Sequence, residues 1–292
     1  GVLSRHGAPV DLVLWIRERT SREKKSMLMR HKDIAFILAT GGPSMVQAAY
    51  SSGTQAIGVG PGNAPVLVCD DADPEAVAQM VIDSKSFDNG ILCGSENNLV
   101  VDMSVHQAFI TALKGHGAAV LTPDESSRFT AFAFSPKTGR LQMHVIGQTA
   151  EKIAQEAGIQ RDGPIRLIVA PLELDALHGP YGREKLAPIL SLFTAGDEEE
   201  GFAICRQLLT SEGAGHTAII HTGNQDLVDR FGLEMPAGRI LVNTPGSHGC
   251  CGLTTGLARS ATLGCGTLGG SSTSDNVTYT HLRNIKRIAW AL

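Results

Sequence analysis

The sequence is poor in aromatic residues and in charge. Phe, Trp and Tyr make up 5% of its 292 residues, and Asp, Glu, Lys and Arg make up 18%. Formal net charge is -4 at pH 7, without a long Lys/Arg block, which argues against a nucleic-acid partner. No apolar run reaches the ~18 residues that a membrane-spanning helix needs. The opening GVLSRHGAPVD lacks the continuous apolar region of a secretory signal. Cysteine spacing excludes more. Among Cys69, Cys93, Cys205, Cys250, Cys251 and Cys265, no pair has the separation typical of structural zinc sites, and His248 near Cys250 lacks a second ligand pair. The adjacent Cys250 and Cys251 are poor disulfide framework. All six are expected reduced, in a cytoplasmic protein with no metal site and no membrane partner.

What is present points to layered α/β structure. The chain is 42% hydrophobic and long enough for a sizeable core in two domains. DLVLWI (11–16) reads as a strand and SREKKSMLMRH as a helix. DIAFILATGG reads as a buried strand ending in a glycine turn. Pro43 opens the helix SMVQAAYSS, with Gly53 as its stop. TQAIGVG and APVLVCD follow as extended segments. Asp73 with Pro74 starts the helix PEAVAQMVIDSKSF, NLVVD is a strand, Ser104 is placed to cap VHQAFITALKGHG, and AAVLT follows. GQTAEKIAQEAGI reads as a helix ending at Gly158 and GPIRLIVAPLE as a strand. KLAPILSLFTA, the helix DEEEGFAICRQLLTSEG, HTAIIHT, the helix around NQDLVDRFGLEM and the strand RILVNTP complete the series. Short β-rich runs between helical patterns predict an α/β fold with a largely parallel sheet.

Residues 244–270 change character. Gly, Ser and Thr dominate, with little regular pattern. The 33 glycines of the chain exceed what a generic domain needs, and this stretch is read as backbone lining a ligand or pocket. ATGGPSM combines strand, glycine turn and helix start, where backbone N–H groups can face a phosphate. Neither it nor GVGPGNAPV has the G-x-G-x-x-G spacing. In SKSFDNGILCGSENNLVV (84–101), Cys93 has small and polar neighbours. On these residues alone it is either a core thiol or a nucleophile. Cys69 and Cys205 are read as core. Arg239 and Arg259 are candidates to meet an anionic group.

Five stretches, in order, carry a family likeness: ILATGGPSMVQAAYSSG, AIGVGPGNAPV, SKSFDNGILCGSE, YGREKLAPIL, and RILVNTPGSHG with TLGCGTLGGSSTSDNV. Together they resemble the CoA-acylating branch of the aldehyde dehydrogenase superfamily. The likeness implies an incomplete Rossmann-type cofactor domain followed by an α/β catalytic domain, because the family's domain begins upstream of Gly1. It divides the chain into a cofactor-binding part (1–71), a catalytic thiol domain (72–270) and a terminal segment returning to the cofactor domain or a subunit interface (271–292). It implies that Cys93 attacks an aldehyde, that hydride passes to NAD or NADP, and that coenzyme A takes the acyl group from the thioester. The Cys93 N–H becomes a candidate oxyanion donor. Glu184 matches the carboxylate that holds the nicotinamide ribose. Thr40, Gly41 and Gly42 match the turn beside the cofactor phosphates, and Pro188 shapes the chain beyond Glu184. The family's water-activating glutamate would align near Gly58, where no carboxylate stands, and a thiol acceptor needs less help than water. Acetaldehyde is the default substrate, with propionaldehyde, sulfoacetaldehyde and succinate semialdehyde as alternatives. A CoA-independent reductase acting on γ-glutamyl phosphate is a related alternative. The implied assembly is a homo-oligomer, in a filament or protein shell, and a non-catalytic fragment or assembly element is the other class.

Overall fold

The computed structural model describes residues 2–292. Helices α1 (Val2–Arg5) and α2 (Arg22–Met29) come first. A small lobe follows, made of β1 (Ile37–Thr40), α3 (Pro43–Tyr50) and β2 (Ala56–Val59), with the two strands paired in parallel. Pro43 occupies the first turn of α3, where its missing N–H leaves no bond unmade.

The larger part alternates β3 (Pro65–Val68), α4 (Pro74–Ser86), β4 (Asn98–Asp102), α5 (His106–Gly115), β5 (Ala118–Val120), α6 (Pro123–Ala133), α7 (Ala150–Glu156), β6 (Leu167–Pro171), β7 (Ile189–Ala195), α8 (Glu198–Ser211), β8 (Gly215–His221), α9 (Gln225–Glu234), β9 (Ala237–Val242) and α10 (Gly246–Cys250). The strands form one sheet in the order β5-β6-β7-β4-β3-β8-β9, parallel throughout. Alternate side chains feed opposite faces. Val66, Val68, Leu99 and Val101 pack with Val81 and Ile82 of α4 and Phe109 of α5. Leu67, Val100 and Phe193 face Phe202, Cys205 and Leu208 of α8. Burial on both faces is why the central strands read as unbroken apolar runs. Asp73 starts α4 as expected, its carboxylate accepting from the N–H groups of Glu75 at 3.0 Å and Ala76 at 3.4 Å.

Some expectations fail for physical reasons. DLVLWI is not a strand. Among the described residues it has no neighbouring strand to pair with, and Trp15 is 75% exposed. Ser104 does not cap α5, because its N–H and hydroxyl both go to the Asp102 carboxylate. Helix α6 was not anticipated, although Thr122 and Glu125 form a reciprocal capping box around Pro123. Residues 244–270 contain the short helix α10.

β3 hydrogen-bonds inside the large sheet, so the change of sheet falls between Val59 and Pro65. The last segment touches the small lobe: the Ser272 N–H donates to the Tyr50 hydroxyl at 2.9 Å, and its hydroxyl donates to the Ala56 carbonyl at 3.1 Å. Among the described residues no helix is long and apolar enough to cross a membrane. Nor do three His, Cys, Asp or Glu side chains cluster there as metal ligands.

Candidate active site

Binding crevices of open α/β sheets lie at the carboxyl ends of the strands. Here two sheets meet. Residues 60–64 lead from the carboxyl end of β2 to the amino end of β3. Three other segments reach the same edge of the large sheet: 91–97 before β4, 183–188 before β7, and the start of β8. The site therefore combines carboxyl ends of the small sheet with amino ends of the large one.

Cys93 follows α4 through a tight turn. Asp88 (φ 48°), Asn89 (φ 52°) and Gly90 (φ 68°) all adopt left-handed backbone, and the Asn89 amide donates to the Gly147 carbonyl at 2.9 Å. The thiol is half-buried, with Sγ 3.1 Å from Nε2 of His216. Nδ1 of that ring lies 2.9 Å from the Thr217 hydroxyl. Burial first, then the neighbouring Glu184 carboxylate, pushes the Cys93 thiol up to about 12. Burial and the Arg239 cation hold His216 down at about 3. At neutral pH the pair is thus a thiol and a neutral imidazole. The Cys93 N–H donates to no acceptor among the described residues.

Gly62 joins the thiol to Glu184. Its N–H donates to Glu184 Oε1 at 2.7 Å, and a Cβ at position 62 would stand 1.8 Å from the Cys93 carbonyl oxygen. Glu184 is raised to about 7, chiefly by burial. Beneath it lies Lys85, fully buried and lowered to about 8 by desolvation. Its ammonium donates to the Lys185 carbonyl at 2.9 Å and the Ser95 hydroxyl at 3.3 Å, and that hydroxyl donates to the Leu92 carbonyl at 2.7 Å. One cation thereby braces the thiol turn against the glutamate loop. Buried Glu96 ties the same turn to α10, accepting from the Gly246 N–H at 2.6 Å.

The fold thus brings Cys93 and Glu184 together. Thr40, Gly41 and Gly42 lie at the end of β1 and the start of α3, and the Gly41 N–H donates to the Val59 carbonyl at 3.3 Å. Pro188 is buried, its carbonyl accepting from the Ile168 N–H at 3.0 Å, and it supports Gly90 from below. Arg239 does not meet a ligand. Its guanidinium is buried and donates to Asn276 Oδ1 and to the carbonyls of His216, Gly264 and Ser274. Arg259 is exposed. Cys69 and Cys205 are core residues, as read. Sequence reasoning missed His216, Gly62 and Lys85. The Gly62 signal was present in GVGPGNAPV. No local signal links His216 to a thiol so distant in sequence.

The glycine-rich segment closes on the amino end of β8. A Cβ on Gly215 would stand 1.9 Å from the Cys265 carbonyl oxygen. A cavity of about 420 Å³ adjoins this point, lined by Gly215, Cys265, Gly266, Leu268 and Ser274 among others. A larger cavity of about 770 Å³ runs along the β5 edge and shares no lining residue with the thiol site. Two of its arginines are paired, Arg161 with Glu125 and Arg166 with Asp83, and His116 Nε2 lies 2.7 Å from Glu75 Oε1.

The aldehyde dehydrogenase family model matches residues 2–281. The chain is 41% identical over 288 residues to the bifunctional aldehyde-alcohol dehydrogenase of Escherichia coli strain K12, covering 97% of this chain and 32% of that protein. It spans about a third of the length of that relative. An acetylating aldehyde dehydrogenase from Geobacillus thermoglucosidasius superposes with a TM-score of 0.93 at 39% identity, over 99% of this chain and 63% of that one. A probable aldehyde dehydrogenase from Listeria monocytogenes gives 0.88 at 42% identity, over 93% of this chain and 60% of that one. A match running through both sheets and every segment of the thiol site means that the chain belongs to the aldehyde dehydrogenase family.

Proposed function

We propose that this chain carries the catalytic thiol of an NAD(P)-dependent, CoA-acylating aldehyde dehydrogenase. The observation that supports it most is the Cys93–His216 contact at 3.1 Å, beside a free backbone N–H and Glu184. The Cys93 sulfur bonds to the aldehyde carbon. Its proton passes to Nε2 of His216 and on to the carbonyl oxygen, giving a neutral thiohemiacetal. The Nδ1–H tautomer, donating to Thr217, leaves Nε2 free to accept. The Cys93 N–H faces the developing oxyanion. A bound nicotinamide dinucleotide would supply the hydride acceptor that turns the thiohemiacetal into a thioester, while the hydroxyl proton passes to Nε2 of His216 and on to solvent. His216 then takes the proton of the CoA thiol, the sulfur of CoA replaces that of Cys93, and the proton returns to Cys93.

The residues fit such a dinucleotide. At the start of α3, the N–H groups of Gly42 and Ser44 donate to no acceptor among the described residues, and space for a Cβ on Gly42 is open, which suits a phosphate. Glu184 has one carboxylate oxygen committed to Gly62, leaving the other for ribose hydroxyls. We place the end of the cofactor-binding part at residues 60–64 rather than at 71, since β3 belongs to the large sheet. The contact of Ser272 with Tyr50 supports a returning terminal segment. The exposed apolar residues Val10, Leu14 and Trp15 support association with further protein, in an oligomer or larger assembly.

Acetaldehyde is the proposed substrate. The segment 56–65, AIGVGPGNAP, holds no carboxylate of its own for activating water, which favours the CoA thiol as acceptor. The test is CoA-dependent NADH or NADPH formation from acetaldehyde by the full-length protein and its Cys93→Ala variant. Turnover lost in the variant and dependent on CoA supports the reading. Turnover retained by the variant removes Cys93 from the chemistry, and turnover indifferent to CoA removes the acylating reaction.

A further inference from the structure

Cys250 and Cys251 lie at the end of α10, outside the machinery above, with sulfurs 3.9 Å apart. Cys250 is buried and Cys251 half-buried. Two routes connect the pair to Cys93. The first is packing: a Cβ on Gly94 would stand 2.4 Å from the Cys250 sulfur, so this sulfur is the wall behind the residue after Cys93. The second is a chain of hydrogen bonds. The Asn276 amide donates to the Cys250 carbonyl at 2.8 Å and accepts from Arg239 Nε at 2.7 Å. Arg239 in turn donates to the His216 carbonyl at 3.2 Å, and His216 touches Cys93.

We infer that Cys250 and Cys251 form an oxidation site, which a peroxide converts to a disulfide between adjacent residues that deforms the surroundings of Cys93. The Cys251 sulfur attacks one peroxide oxygen, the O–O bond breaks, and water leaves with a sulfenic acid on Cys251. The Cys250 sulfur then attacks the Cys251 sulfur, the S–O bond breaks, and a second water leaves. The two thiols lose two electrons and two protons, and the peroxide gains them. The roles follow from the surroundings. Cys251 is partly open to solvent, and its thiol is held below the ordinary range by the Cys250 hydrogen bond, with the Arg239 cation assisting. Cys250 is raised by its hydrogen bond with the Cys251 sulfur and by burial, which suits the resolving partner.

Adjacent Cα atoms stand about 3.8 Å apart, closer than the ~4.4–6.8 Å of ordinary disulfides. The bridge is therefore strained and easily reduced, as reversible control requires. Closing it turns the Cys250–Cys251 peptide and pulls the carbonyl that Asn276 holds. The effect on turnover rests on the proposed function, whereas formation of the bridge does not.

The test treats the full-length protein with hydrogen peroxide, labels free thiols with iodoacetamide and digests with trypsin. Peptide 240–259 carries Cys250 and Cys251 and no other cysteine; peptide 86–114 carries Cys93 alone. Peptide 240–259 should lose two hydrogens and refuse label until dithiothreitol is added. Cys93 should remain a thiol but be labelled more slowly, with reversible loss of turnover. Cys251→Ser should abolish all three effects, and Cys250→Ser should let Cys251 oxidise past the sulfenic acid. Oxidation of Cys93 ahead of the pair, or a bridge joining the two peptides, would overturn the inference. Reduced protein without turnover would count against the proposed function and leave the peptide result standing.

Discussion

A Cβ added to Gly62 would stand 1.8 Å from the carbonyl oxygen of Cys93, while the Gly62 N–H holds Glu184 at 2.7 Å. One residue thus fixes the spacing of the Cys93 backbone and the Glu184 carboxylate. Gly62→Ala should lose most turnover and destabilise the fold, because neither backbone segment has room to yield. Steady-state assay and urea unfolding check this together. Normal turnover would mean that the two segments move independently.

The Cys93 thiol, held up at about 12 by burial and by the neighbouring Glu184 carboxylate, has a neutral rather than a charged imidazole beside it. Thiolate is the reactive form. Alkylation of Cys93 without ligands should therefore rise about tenfold per pH unit from 7 to 10, with no plateau. The rate of label uptake into peptide 86–114 reports it. A plateau near pH 8 would indicate a thiolate–imidazolium pair instead.

Glu184 titrates at about 7 in the fold against a reference of 4.5. The folded state holds its proton more tightly, so this group's contribution to stability is full below about 4.5 and is lost as pH rises through about 7. His216 works the other way, since its lowered value makes stability rise with pH from about 3 to 6.5. The comparison must therefore be between the wild type and Glu184→Gln. The variant should gain relative stability steadily between pH 4.5 and 7 and hold a constant difference above that. Parallel stability curves across the window would refute the assignment.

Lys85→Met replaces a buried cation by an apolar chain of similar length. It leaves the Lys185 carbonyl and the Ser95 hydroxyl without their donor. The expected cost is about 1–3 kcal/mol, read from chemical unfolding. A more stable variant would show that desolvating the ammonium outweighs the bonds it makes.

Much of this was readable in the chain. The Asp73–Pro74 helix start, the buried run of β3 and β4, and the small neighbours of Cys93 are local signals, and local physics carried them into the structure. Recognition of the family added Glu184 and the Thr40–Gly42 turn as candidates for holding a cofactor. What stayed hidden was non-local. His216 is the second residue of a strand whose position beside β3 is set by sheet order, and Arg239 looked available because its four acceptors come from elsewhere in the chain. DLVLWI misled for the opposite reason: its pattern suits a strand, but a strand requires a neighbour.

The parallel pairing of β3 with β8 has a consequence for how the protein is made. Val66 lies opposite Ile219, so the centre of the sheet stays open until the residues of β8 have left the ribosome. Parallel sheets of such long range form slowly and leave unpaired edges exposed meanwhile. Cys93 is synthesised long before His216, and the nascent thiol waits without its imidazole. The Cys93–His216 contact therefore forms only once β8 has docked on β3, and its appearance marks closure of the sheet's centre rather than the start of folding.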